Sequence, residues 1–384
     1  MHIGINALHL LPSKVGGVET YTRNLVRWIV RLGADNRYTV FINEESAGVF
    51  ESLAPEIGVV PCPIRATRRS IRILWEQFVL PFQVRSRKID LLLSTGLTAP
   101  VFCPATSIVV LHDLQHINQP HNFSWLYLQF LRAIIYASAK SADGVITVSN
   151  HVKKDVERFY GVRSEHIAVS HLGVDRSLFN TLHPTREPVV RQRYGLPERY
   201  ILYAAASLPH KNHARLFAAL QHVRKQIPDL KLVLIGARDR GEEALIREID
   251  RLGLHDDVVL LGWLPFEDVP LIYRGAEAFV FPTLHEGFGL PIIEAMACGV
   301  PVVCSRMEPL IEVAGEAAQF VDPMEPENIA RGIVNVLTDD TFRSALVDRG
   351  LARAQEFAWE ETAKRTLDFV NAMARRKKKR LASA

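Results

Sequence analysis

One lysine and two glutamates carry the most chemistry in this chain. The run His285-Glu286-Gly287-Phe288-Gly289-Leu290-Pro291 leads into an apolar stretch, and Pro291 fits the first turn of a helix, where its missing N–H costs nothing. Phe288, Gly289 and Leu290 then offer unpaired backbone N–H groups at a positive helix end, a setting for an anion such as a diphosphate. Gly287 and Gly289 permit close backbone approach. Glu286 precedes the helix, and Glu294 is expected inside its first turn. A carboxylate beside a phosphate is repelled unless it accepts hydroxyl hydrogen bonds, and sugar or ribose hydroxyls are the matching donors. Lys211, at the start of another predicted helix, adds a cation for the same phosphates. These residues together read as a site for a nucleotide sugar.

The elements that must position them follow a strand–helix rhythm. Apolar runs at 2–8, 38–42, 91–94, 107–111, 144–149 and 166–170 alternate with amphipathic segments, notably 19–32 and 151–160. Runs without polar alternation suit parallel strands covered on both faces. Residues 176–198 are rich in proline and arginine and read as a linker with a short helix. The rhythm restarts at 200–206, 231–236, 258–263, 278–283, 301–305 and 318–322, and 341–374 reads as helix. The expected class is α/β, with two doubly wound Rossmann-like domains facing each other across a cleft. Residues 1–180 form the first domain, 181–360 the second, and 361–384 a C-terminal helix and basic tail. In such sheets ligands bind beyond the carboxyl ends of the strands. Those ends carry Gly16-Gly17, His112-Asp113, Ser149, Ser207, His210-Lys211, Arg238 and Glu286. Ser149 serves equally well as a helix N-cap, and Asp113 as a purely structural residue.

Composition narrows the classes. With 48% hydrophobic and 23% charged residues, wholesale disorder and fibrous architectures are out. No apolar run reaches the roughly 18 residues of a membrane span, and the N-terminus reads as a strand rather than a signal peptide. Cys62, Cys103, Cys298 and Cys304 show no C-x-x-C spacing, which fits a reducing cytoplasm. The formal charge is +4, but without Arg375–Arg380 the chain has 40 basic against 42 acidic residues. Basicity is thus a tail property, which argues against a nucleic-acid-binding body. No G-x-G-x-x-G follows an early strand, and Glu242 stands where a P-loop lysine would follow Gly241. No Asp-x-Asp or clustered Cys/His set occurs, so no metal and no cofactor is expected. Charge on a departing diphosphate falls to helix termini and Lys211.

Nearly the whole chain resembles the retaining nucleotide-sugar glycosyltransferases of the GT-B fold, in the large group that contains bacterial mannosyl- and glucosyltransferases. Glu286-Gly-Phe-Gly-Leu-Pro-Ile-Ile-Glu294 is similar to that group's Glu-x7-Glu motif, continued by EAMACGVPVV. GGVE, HDLQ, TVSNHVKKDV, HLGVD and PHKN also fit, in order. The resemblance implies catalytic roles for Glu286, Lys211 and His112. Lys211 would bind the donor diphosphate, Glu286 the donor sugar and Glu294 the ribose. Gly16, Gly17, Ser207, His210, Arg238, Gly287, Phe288, Gly289 and Leu290 would complete the donor site. Many relatives carry an arginine just before the lysine. Here that residue is His210, and Arg238 is the candidate substitute.

The resemblance implies transfer of a hexose from a nucleotide diphosphate sugar, the co-substrate, to a glycan or lipid-linked glycan hydroxyl, with 1–180 as the acceptor domain and 181–360 as the donor domain. It favours mannose from GDP-mannose and leaves glucose and rhamnose open. A nucleotide-sugar epimerase, a glycan phosphorylase and a non-catalytic sugar-binding protein are the alternatives. Two basic regions bear on location: 65–88, where arginines interleave with Leu74, Trp75, Phe78 and Phe82, and Arg375–Arg380. Either is suited to an anionic membrane surface, placing the enzyme on the inner face of the cytoplasmic membrane. The competing readings are a packed helix with a solvated basic edge and a disordered solubilising tail.

Overall fold

The computed structural model describes residues 1–12, 16–51, 53, 56–182, 187–237 and 241–382. They form two units, Met1–Gly173 with Trp359–Ala384, and Val174–Ala358.

The first unit runs β1 (His2–Asn6), α1 (Gly16–Leu32), β2 (Arg37–Ile42), β3 (Gly58–Pro61), α2 (Arg69–Phe78), α3 (Leu80–Ser86) and β4 (Leu91–Ser94). It continues with β5 (Thr106–Leu111), α4 (Gln115–Asn118), α5 (Trp125–Ser141), β6 (Gly144–Thr147), α6 (Asn150–Tyr160) and β7 (Ile167–Val169). All seven strands are parallel, in the order β3-β2-β1-β4-β5-β6-β7. Every residue of β4, β5 and β6 is buried, as a sheet covered on both faces requires. The winding reverses between β1 and β4, the position where open α/β sheets leave a crevice for ligands. Ser149 caps α6 by accepting the Val152 N–H at 3.2 Å, and Gly161 ends that helix in the left-handed conformation.

The second unit runs α7 (Glu187–Tyr194), β8 (Tyr200–Ala204), α8 (His213–Val223), β9 (Lys231–Ile235), α9 (Glu242–Leu252), β10 (Val258–Gly262) and α10 (Val269–Arg274). Then come β11 (Ala278–Phe281), α11 (Leu290–Ala297), β12 (Val302–Ser305), α12 (Glu308–Ala314), β13 (Ala318–Val321), α13 (Pro326–Thr338) and α14 (Asp340–Ala354). Its parallel sheet has the order β10-β9-β8-β11-β12-β13, and its winding reverses between β8 and β11. Both sheets are doubly wound, as the strand–helix rhythm predicts.

Several details differ from the sequence reading. The unit boundaries fall at 173/174 and 358/359 rather than 180/181 and 360/361. The last helix, α15 (Trp359–Ala382), belongs to the first unit. There it packs along α1, and the Thr362 hydroxyl donates to the His171 carbonyl at 2.7 Å. The helical pattern over 341–374 is interrupted at 355–358, where the Val174 N–H bonds the Phe357 carbonyl. Arg375–Arg380 is helical, not a disordered tail. Lys377 Nζ pairs with Asp143 Oδ2 at 2.7 Å and donates to the Ala105 carbonyl at 2.8 Å.

Candidate functional site

The turn after β8 and the turn after β11 are built as one piece. Residues 209–211 make a short 3-10 turn, and Asn212 follows with φ 63°, a left-handed conformation that asparagine tolerates. Its buried amide donates to the Pro282 carbonyl at 2.8 Å and to the Pro323 carbonyl at 2.7 Å. The His210 carbonyl accepts the Leu284 N–H at 2.7 Å and the Thr283 hydroxyl at 3.1 Å. The Tyr203 hydroxyl donates to the Lys211 carbonyl at 2.6 Å. These bonds fix the Lys211 backbone from three directions. Its side chain meets Glu286, with Nζ–Oε1 at 2.5 Å, while Nζ lies 5.7 Å from the centre of the Phe281 ring. The two charged side chains are 16% and 13% exposed, so the pair is sheltered without being sealed.

His210 itself is buried, its ring 6.3 Å from that of His285. The resemblance puts it where many relatives carry an arginine, and here its carbonyl joins two turns. Ser207 sits in the same turn region, its N–H on the Ala237 carbonyl at 3.3 Å. Arg238 lies outside the described residues.

Glu286 opens onto Gly287, Phe288 and Gly289, which lead into α11. Phe288 is buried edge-on against Phe357 at 5.7 Å. Gly289 has φ 102°, a conformation that calls for glycine, and a Cβ there would lie 2.6 Å from the tip of the Leu310 side chain. Leu290 and Pro291 begin the helix, and its first N–H groups have no partner within the helix. Glu294 is the fifth helical residue, past the first turn where the sequence reading put it. Its Oε2 accepts the Tyr273 hydroxyl at 3.3 Å, and burial pushes its carboxyl up to about 7, against the lesser pull of that hydroxyl. Sequence reasoning missed Tyr273 and Tyr203, because neither belongs to a motif and both reach their partners from other elements.

In the first unit, His112 follows β5 and Gly16 and Gly17 open α1. His112 Nε2 lies 2.9 Å from the Thr95 carbonyl, which calls for a proton on Nε2 and leaves Nδ1 as an acceptor. Burial lowers its basicity and outweighs the Thr95 bond, so the ring is neutral. Tyr21 of α1 stands edge-on to it at 4.8 Å, tying the helix that Gly16 and Gly17 begin to the end of β5. Both glycines are exposed, and a Cβ on either would meet nothing within 4 Å. Packing among the described residues therefore does not explain them.

Comparison with known proteins bears on both units. The sequence profile "Glycosyltransferase Family 4" matches residues 15–178 and "Glycosyl transferases group 1" matches 189–353. O-antigen chain mannosyltransferase B of Escherichia coli is 32% identical over 267 residues, covering 68% of this chain and 69% of that protein. O-antigen chain mannosyltransferase RfbU of Salmonella typhimurium is 26% identical over 304 residues, 77% of this chain and 81% of that one. The solved sucrose-phosphate synthase of Thermosynechococcus elongatus superposes over 100% of both chains with a TM-score of 0.77 at 19% identity, a likeness of fold.

Proposed function

Since this chain belongs to the GT-B-fold glycosyltransferases, we propose that it moves mannose from GDP-mannose to a glycan or lipid-linked glycan hydroxyl, with retention of anomeric configuration. The observation that carries this reading is the Lys211–Glu286 pair at the winding reversal of the second unit, beside the start of α11. Two relatives with mannosyltransferase names support the choice of sugar. Lys211 and the α11 N–H groups take the diphosphate, Glu286 the sugar hydroxyls and Glu294 the ribose. Transfer forms a bond from the acceptor oxygen to the anomeric carbon as the bond from that carbon to phosphate breaks. The acceptor's proton passes to the departing phosphate oxygen on the same face. Lys211 and the helix end meet the charge developing there, so no metal is required by this scheme.

A melting-temperature panel of GDP-, UDP-, TDP- and ADP-sugars, followed by transfer assays, tests the reading. GDP-mannose should raise the melting temperature most. If no nucleotide sugar raises it, the donor site is wrong.

The first unit supports work at an anionic membrane surface. Ile71, Leu74 and Phe78 share one face of α2 and are exposed, while Ile73 and Glu76 point into the protein. Phe82 on α3 extends the exposed set, with Phe78 68% and Phe82 73% accessible. Gln77 bonds the Ala99 carbonyl and the Val101 N–H, which brings exposed Phe102 alongside. Arg65, Arg68, Arg69 and Arg85 flank this apolar strip in sequence, the composition of an interfacial helix. Among the described residues no helix is long and apolar enough to cross a membrane. Phe78→Ser with Phe82→Ser should weaken binding to phosphatidylglycerol vesicles about tenfold or more, given ~1.5–3 kcal/mol per buried aromatic ring. Transfer to a soluble acceptor should persist. Unchanged vesicle binding removes this surface from the account.

A further inference from the structure

The winding reversal of the first unit holds a second polar cluster that the donor chemistry leaves unused. His9 follows β1, and Gly96 follows β4, so the two stand at the crevice position of that sheet. A Cβ on Gly96 would lie 2.8 Å from His9 Nδ1 and 2.9 Å from Cγ, so the glycine seats the imidazole. The other nitrogen, Nε2, is buried and among the described residues has no hydrogen-bond partner. Arg72 of α2 reaches the same end of β1, since Glu76 Oε2 meets both the Arg72 guanidinium, at 3.5 Å, and the side-chain amide of Asn6, the last residue of that strand, at 2.9 Å.

Arg72 is poorly served by its own chain. Its side chain is 11% exposed, and its contact with Glu76 Oε2 is long, 3.5 Å. That oxygen already accepts the Asn6 amide at 2.9 Å. A guanidinium has five N–H donors, and among the described residues this is its one side-chain hydrogen bond. Its other guanidinium nitrogens are not among the buried atoms of the described residues that lack a partner, so its spare donors stand where a ligand can meet them.

We propose that Arg72 and His9 form an anion subsite that holds a phosphate or carboxylate group of the acceptor. Arg72 supplies paired N–H donors to such a group, and the neutral His9 ring adds a third through Nε2–H. The inference rests on the first unit being the acceptor side of the proposed transferase.

The test reads binding, not turnover, so its failure and a failure of the transferase reading are separable. The full chain with isotope-labelled histidine rings is titrated with α-mannosyl phosphate, methyl α-glucuronide and methyl α-mannoside. The His9 Nε2 resonance, assigned by its loss in His9→Phe, should move with at least one anionic probe and stay fixed with the neutral glycoside. A response to the phosphate ester alone assigns a phosphate-bearing acceptor, and a response to the glucuronide alone a uronic acid. Arg72→Gln should weaken the responding probe about tenfold or more, as loss of a charge-assisted bond predicts. Arg72→Lys, which keeps the charge beside Glu76, should weaken it less and covers the case in which Arg72→Gln does not fold. A resonance unmoved by either anion, equal movement with the neutral glycoside, or full-strength binding by the Arg72 variants overturns the proposal.

Discussion

Replacing Lys211 with alanine should cut transfer by about two to three orders of magnitude, the usual cost of removing one group aimed at charge that develops in the transition state. The chain should still fold, and that contrast separates a donor-site lysine from a surface one. Lys211 Nζ sits 2.5 Å from Glu286 Oε1 in a partly sheltered setting. Removing the lysine alone leaves a carboxylate short of its partner, at a cost of roughly 1–3 kcal/mol of stability. Lys211→Ala combined with Glu286→Gln takes away the stranded charge. The double variant should regain most of that stability and none of the turnover. Chemical denaturation and initial rates on the three proteins decide the matter. Transfer by Lys211→Ala at more than a third of the wild-type rate would rule out its role on the diphosphate.

On the proposed reading the Lys211–Glu286 pair exchanges partners when the donor binds. A donor diphosphate would draw Lys211 away from Glu286, which would free the carboxylate to accept sugar hydroxyls. Binding and release of the two side chains are then one event, consistent with their being exposed enough to exchange partners.

The doubly wound class could be read from runs such as Thr106–Leu111, because a strand buried on both faces has no polar alternation to confuse it. Gly58–Pro61 escaped that reading. It is a four-residue edge strand, half-exposed, and needs only β2 as a neighbour. The break before α15 was hidden for a different reason. Its apolar spacing is helical on both sides, and the interruption depends on Val174, far away in the chain. Arg375–Arg380 looked solvated because Asp143 and Ala105, which hold Lys377, are remote in sequence. Among the site residues, Lys211, Glu286 and Gly289 carry local signals of spacing and turn chemistry. His9 has only its place after a strand, and Arg72 is one arginine among several. Long-range packing singles them out, and a motif search does not see packing.

Glu294→Gln should move stability and donor binding in opposite directions, with both effects controlled by pH. Burial raises the Glu294 carboxyl to about 7, well above its ordinary 4.5. The folded chain therefore keeps a proton that the unfolded chain releases, and stability falls as pH rises between those values. The contribution is fully present below about 4.5 and lost through 7, on the order of 3 kcal/mol in all. Glutamine does not titrate. The ligand-free variant should match wild type near pH 4.5 and be the more stable protein at pH 8. Donor binding should run the other way, because an ionised carboxylate is the stronger acceptor for ribose hydroxyls and forms only as pH passes 7. Wild-type affinity for GDP should rise across that range. The variant should bind about 10- to 100-fold more weakly at pH 8, the worth of ~1.5–3 kcal/mol for hydrogen bonds to a charged group. Its affinity should hardly change with pH. Denaturation and calorimetric titration at four pH values supply both curves. If the two proteins lose stability in parallel between pH 5 and 8, the carboxyl does not titrate there, and if their GDP affinities coincide at pH 8, Glu294 does not hold the ribose. A stability gain at pH 8 paired with a loss of GDP binding would identify Glu294 as a ligand contact rather than only the partner of the Tyr273 hydroxyl.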